Sequence, residues 1–137
     1  MIRAHAHRTV VKKPRMLEAE LQANVIDLAQ VLGWRVVHFR PAQTSKGWRT
    51  AVQGDGVGWP DIIALRRDRG LAIELKSPTG KLAIEQVDWL RAFKAAGFEA
   101  YEWRPEQWYD GTIEAMHYWL LYFMALHEDC TVKDGEA

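Results

Sequence analysis

WPDIIALRRDRGLAIELKS, running from Trp59 to Ser77, decides the reading of this chain. Ile62, Ile63, Ala64 and Leu65 form a short apolar run after a proline, and Leu71 to Leu75 form a second, with RRDRG between them. Two apolar runs around a polar, glycine-containing break predict a β-hairpin, with Gly70 closing the turn. Side chains alternate along a strand, so Glu74 and Lys76 share one face while Ile73 and Leu75 take the other. When the two strands pair, Asp61 enters the first at the end where Glu74 and Lys76 leave the second. Two carboxylates and an ammonium then meet in one small volume. That set suits metal-assisted hydrolysis: carboxylates hold a hard divalent cation, and an ammonium orients water and steadies developing phosphate charge. The bland alternative is three solvated strand residues.

The pattern G-x-P-D, an apolar strand, then E-L-K stands here as Gly58, Pro60 and Asp61, then Glu74, Leu75 and Lys76. It resembles the PD-(D/E)XK nuclease signature, in particular its VRR-NUC branch. The resemblance implies an α/β fold with a restriction-endonuclease-like core, a mixed β-sheet flanked by helices. It also implies Mg2+ or Mn2+ held by Asp61, Glu74 and the backbone carbonyl of Leu75, with Lys76 positioning the attacking water.

The flanking sequence supplies two more candidates. From Met16 to Leu32 the residues Leu17, Leu21, Val25, Leu28 and Leu32 recur at helical spacing, and Gly33 follows as a C-cap. At roughly 100° per residue, Glu18 lies about 60° from the centre of that stripe and Glu20 about 100° away on its other side. Glu18 is the acid placed to look along the core boundary, although a first-turn acid is also favoured by the helix dipole. LEAELQ, residues 17 to 22, is similar to the family's opening E-x-x-L-Q motif, which implies that Glu18 joins the active site and extends the metal shell. A second helix is predicted from Ala83 to Ala96, closed by Gly97, with Ala83, Val87, Leu90 and Phe93 as its stripe. Gln86 falls inside that stripe, where an unpaired amide would cost roughly 1–3 kcal/mol, so it needs a partner, and the nearest polar groups belong to the Glu-x-Lys strand. KLAIEQVDWL, residues 81 to 90, resembles the family segment that carries a supporting active-site Gln, which implies that role for Gln86.

Between these elements, Trp34 to Arg40 reads as a strand ended by Pro41, and His38 within it as a packed or edge histidine, since no second His or Cys lies at ligand spacing. Residues 42 to 58 read as a long polar loop. Its Lys46, Trp48 and Arg49, with Arg40 before it, form a basic and aromatic set suited to DNA contact. Arg66, Arg67 and Arg69 read as a solvated turn. Phe98 to Trp103 reads as a strand parallel to that of Glu74 across the helix. From Thr112 a helix apolar nearly all round predicts a homodimer interface.

Composition bounds the rest. At 137 residues, one domain is expected over residues 16–126, between a basic arm at 1–15 and an acidic tail at 127–137. Basic and acidic residues number 18 each, so total charge says nothing of a nucleic-acid partner, but the arm carries Arg3, Arg8, Lys12, Lys13 and Arg15 without an acid. Cys130 is the single cysteine, which excludes an intrachain disulfide and fits a reducing cytoplasm. Neither a signal peptide nor an apolar run long enough for a bilayer is present, so no membrane partner is expected.

The resemblance covers roughly Met16 to Leu120. Stand-alone members resemble small phage or bacterial enzymes that act on branched DNA as homodimers. The expectation is therefore a metal-dependent DNA endonuclease, structure-selective for branched DNA such as four-way (Holliday) junctions or flaps. The alternative is a nuclease-fold protein that binds DNA without cutting it, or a subunit of a larger DNA-processing assembly. A third reading is an interaction protein built around the C-terminal helix.

Overall fold

The computed structural model describes residues 15–39, 42–49 and 52–115. The elements run α1 (Glu18–Val31), β1 (Arg35–His38), β2 (Ala42–Thr44), β3 (Gly47–Arg49), β4 (Ile62–Arg66), β5 (Arg69–Leu75), α2 (Ile84–Ala95), β6 (Glu99–Trp103) and α3 (Pro105–Tyr109). Four strands form one sheet in the order β1-β4-β5-β6, antiparallel except that β6 runs parallel to β5 across the α2 crossover. This is the mixed α/β architecture that the sequence predicts.

Strand alternation divides the sheet into two faces. Ile62, Ala64, Leu71, Ile73, Leu75 and Trp103 are buried with Leu21, Val25 and Ala29 of α1, which recur every four residues along one helix face. Ile113 is fully buried in the same cluster, so the helical turn at residues 112–115 docks into the core. Burying a side chain of this size contributes about 1.5–3 kcal/mol, and this layer holds the sheet on α1. The opposite face carries Glu74 and meets α2, whose Val87, Leu90 and Phe93 are half-buried.

Several local expectations are corrected. The β4–β5 turn is Arg67–Asp68, with Arg66 paired to Arg69 and Arg67 at φ 54°, whereas Gly70 lies inside β5 opposite Leu65. Gly70 is needed there because a Cβ would come within 2.4 Å of the Phe98 ring. Arg69 is not a solvated turn residue: its guanidinium grips the Glu99 carboxylate with two bonds of 2.7 and 2.6 Å. Leu17 and Ala83 cap α1 and α2 and are exposed, so the buried stripe of α1 and the half-buried stripe of α2 start one turn later than the spacing suggests. The loop expected at residues 42–58 contains a separate two-stranded hairpin, β2–β3. The basic arm before Arg15, Arg40, and the apolar helix beyond residue 115 with its expected dimer interface lie outside the described residues.

Candidate active site

The β4–β5 register pairs Ile62 with Ile73, and one further step brings Asp61 opposite Glu74. Asp61 is fixed twice. Its Oδ2 accepts the Leu75 N–H at 2.8 Å, and its backbone carbonyl lies 2.7 Å from Nδ1 of His38, which is paired with Ile62 on β1. A carbonyl only accepts, so Nδ1 carries the proton of that bond.

Glu74 is 1% exposed, and its Oε1 takes the Lys76 ammonium at 3.0 Å together with the Gln86 side chain. Gln86 Oε1 accepts the Ala83 N–H at 2.8 Å, so the amide has one orientation available and its Nε2 faces Glu74. Glu18 reaches the same strand end, its Oε2 accepting the Ser77 N–H at 3.0 Å, while Glu20 turns back to cap Leu17 N–H at 2.8 Å. Of the two first-turn acids, only Glu18 thus approaches the E-L-K strand. The first turns of α1 and α2 therefore both open on this end of the sheet, where their positive dipole ends favour anionic groups. Asp61, Glu74, Lys76 and Gln86 come together, and Glu18 stands at the rim beside Ser77.

The electrostatics of Glu74 are unusual for a carboxylate. Burial first, and the negative charge of Asp61 second, push its pKa up from 4.5 to about 7, against the opposing pull of Lys76. Among the described residues its Oε2, which is buried, has no hydrogen-bond partner. An orphaned carboxylate oxygen next to a second carboxylate is costly in the protein alone and suited to a hard divalent cation. Among the described residues no three His, Cys, Asp or Glu side chains gather as a ready cage. The protein would contribute two carboxylates, which is a common provision for Mg2+, a cation that keeps several waters or substrate oxygens.

The glycine of G-x-P-D has a structural cause. Gly58 has φ 81°, and a Cβ there would lie 2.6 Å from the Glu85 carbonyl carbon and 2.7 Å from Gln86 N. The segment before Asp61 thus passes against the first turn of α2 at a separation only glycine permits. Trp89 Nε1 ties it further, donating to the carbonyls of Asp55 and Val57 at 3.0 Å each, and Trp59 packs edge-on against Trp89 and Phe93 at 4.8 and 5.1 Å. One contact therefore positions both Asp61 and Gln86. Gly58→Ala is expected to cost roughly 2–3 kcal/mol, read as a fall in denaturant midpoint at constant slope; an unchanged midpoint would show that the approach relaxes freely.

Sequence reasoning missed Arg104. Lys76 N–H donates to the Trp103 carbonyl at 2.9 Å, continuing the parallel ladder, and Arg104 follows alongside Ser77. Its Nη1 donates to the Ser77 carbonyl at 2.8 Å, and its Nη2 pairs with Glu102. The turn after Lys76 is thereby held from both sides, by Glu18 on the Ser77 N–H and Arg104 on the Ser77 carbonyl. Extending the predicted parallel pairing by one residue was the available signal. Of the residues expected to touch DNA, Lys46, Trp48 and Arg49 lie exposed on β2–β3.

Compared with known protein families, the chain matches the VRR-NUC domain over residues 3–105, a span that contains Glu18, Asp61, Glu74, Lys76 and Gln86. No curated protein matches it.

Proposed function

Because the chain belongs to the VRR-NUC family, a family of nuclease type, we propose that it is a Mg2+- or Mn2+-dependent DNA endonuclease, structure-selective for branched DNA and active as a homodimer. No helix among the described residues is long and apolar enough to cross a membrane. The observation that carries the reading is Glu74, a carboxylate 1% exposed with one oxygen unpartnered among the described residues, set between Asp61 and Lys76. A protein that only bound DNA would gain nothing from burying one carboxylate beside another where both repel phosphate.

In this reading Asp61, Glu74 and the Leu75 carbonyl would hold the cation, and Glu18 would extend its shell. The cation, when bound, supplies Lewis-acid polarisation of the scissile phosphate. Lys76 orients the attacking water and sets its positive charge where the phosphoryl oxygens gain negative charge in the transition state. Gln86 keeps the Glu74 carboxylate in one rotamer, so that Lys76 has a fixed partner. The water oxygen forms a new P–O bond as the P–O bond to the leaving oxygen breaks; the attacking water gives up one proton to solvent and the leaving oxygen takes one up.

Incubation with linear duplex, flap and four-way junction DNA, scored for retention and cleavage, tests this directly. With Mg2+ the expected result is cleavage of the branched substrates; in excess EDTA it is retention without cleavage. Cleavage that survives EDTA would rule out the metal mechanism, and retention without cleavage in every condition would identify a binding protein. Sedimentation at micromolar concentration should give the dimer mass, and a monomer mass would remove the dimer from the proposal.

A further inference from the structure

Among the described residues, the β2–β3 hairpin is a sheet of its own and adds no side chain to the core. Gln43 pairs with Trp48, Ala42 with Arg49 and Thr44 with Gly47, and every residue from 43 to 49 is exposed. A two-stranded hairpin that buries neither face gains little to offset the entropy of ordering it. Its tip is nevertheless preorganised: Thr44 Oγ1 donates to the Gly47 carbonyl at 2.7 Å and accepts the Lys46 N–H at 3.2 Å. Beside that tip stands Trp48, 70% exposed, the most exposed aromatic among the described residues. Residues 42–49, AQTSKGWR, add Lys46 and Arg49 and carry no acid.

The segment bearing this hairpin starts and ends at the candidate active site. His38, just before it, is bound to the Asp61 carbonyl, and Trp59, just after it, packs on α2 next to the turn that carries Gln86. Glu18, Asp61 and Glu74 repel a phosphate backbone, so a DNA substrate needs cationic and stacking contacts close to them but not among them. An exposed indole between two cations is the chemistry that recognises nucleotides, the ring taking the face of a base and the cations the flanking phosphates. In an intact duplex both faces of each base are already stacked, so the indole finds an open face only where nucleotides are unpaired.

We infer that the β2–β3 hairpin is the branch reader of this protein: Trp48 stacks on an unpaired base next to the scissile strand, and Lys46 and Arg49 hold its phosphates. This deepens the proposed nuclease function and rests on it. It assigns the preference for branched DNA to one side chain of this chain rather than to its oligomeric state.

Binding in EDTA tests it without requiring cleavage. Fluorescence anisotropy would be measured with a labelled oligo-dT, a duplex carrying a single-stranded flap, and a blunt duplex, using the full chain, Trp48→Ala, Trp48→Phe and the double variant Lys46→Ala/Arg49→Ala. Stacking of this kind is worth about tenfold in affinity per base. Trp48→Ala should lower the flap-to-blunt affinity ratio, and the affinity for oligo-dT, by about that factor; Trp48→Phe should restore most of it. The double variant should weaken all three DNAs and flatten the salt dependence. An unchanged flap-to-blunt ratio in Trp48→Ala, or a wild-type protein with no affinity for oligo-dT, overturns the inference. If the wild type shows the expected binding pattern but never cleaves with Mg2+, the hairpin assignment stands and the nuclease reading fails.

Discussion

Asp61→Ala and Lys76→Ala should each lower single-turnover cleavage by about 10³-fold or more, while DNA binding in EDTA persists. The two substitutions remove different things. Asp61→Ala deletes one of the two carboxylates and leaves the Leu75 N–H without its acceptor, a loss of roughly 1 kcal/mol in stability that a thermal melt should register as a small shift. It also takes a negative charge from the candidate active site, so metal-free DNA binding should be as tight as in the wild type or tighter. Lys76→Ala removes the ammonium 3.0 Å from Glu74 Oε1. That cation is the group that opposes the rise in the Glu74 pKa, so without it the carboxyl holds its proton to still higher pH. The variant thus loses the water-orienting group and, at neutral pH, the charge of its neighbour. A cleavage rate that rises again with pH in Lys76→Ala would separate the second loss from the first. Substantial cleavage by either variant near pH 7 would remove that residue from the mechanism.

The convergence behind this prediction was legible in the sequence because it is local. Alternation in LAIELK separates Glu74 from Ile73 and Leu75, and a hairpin brings Asp61 to the same end whichever residue closes the turn. The turn itself was misplaced, because the reason for Gly70 is the Phe98 ring, a neighbour distant in sequence and invisible to a local reading. The hairpin β2–β3 left no periodic trace, since alternation records a buried face and this hairpin has none. Gln86 stood out as an amide within an apolar stripe. Its second contact, back to Ala83 N–H, follows a habit that α1 and α3 share, where Glu20 and Gln107 reach back to the N–H groups of Leu17 and Arg104. That N3 signal was readable and marks the helix starts better than the apolar stripes do. His38 needed a strand register, β1 on β4, that apolar patterning does not supply, whereas Arg104 lay one residue beyond the predicted parallel pairing of β5 with β6. The burial of Glu74 was also out of reach, because it depends on α2 packing over that face of β5.

That burial makes Glu74→Gln the substitution with opposite effects on stability without and with divalent cation. In the folded chain the Glu74 carboxyl titrates at about 7 rather than at 4.5. Between those values the native state binds more protons than the unfolded state, so stability falls as pH rises through the window and levels off above it. A displacement of this size amounts to about 3 kcal/mol, fully retained below pH 4.5 and lost by about pH 8. Glu74→Gln keeps the shape and removes the titration. Urea melts of the metal-free proteins should therefore nearly coincide at pH 4 and diverge at pH 8, with the variant the more stable by up to that amount. Divalent cation should reverse the order at pH 8: it requires the ionised carboxylate, stabilises the wild type by mass action, and leaves the variant unmoved. Proton release on adding Mg2+ or Mn2+ to the wild type near pH 6, absent in the variant, would report the same linkage by calorimetry. A metal-free wild type whose stability is flat between pH 5 and pH 8 relative to Glu74→Gln would mean that Glu74 is ionised without cost. The orphaned Oε2 would then have a partner in solution, and the case for Glu74 as a cation ligand would lose its physical basis.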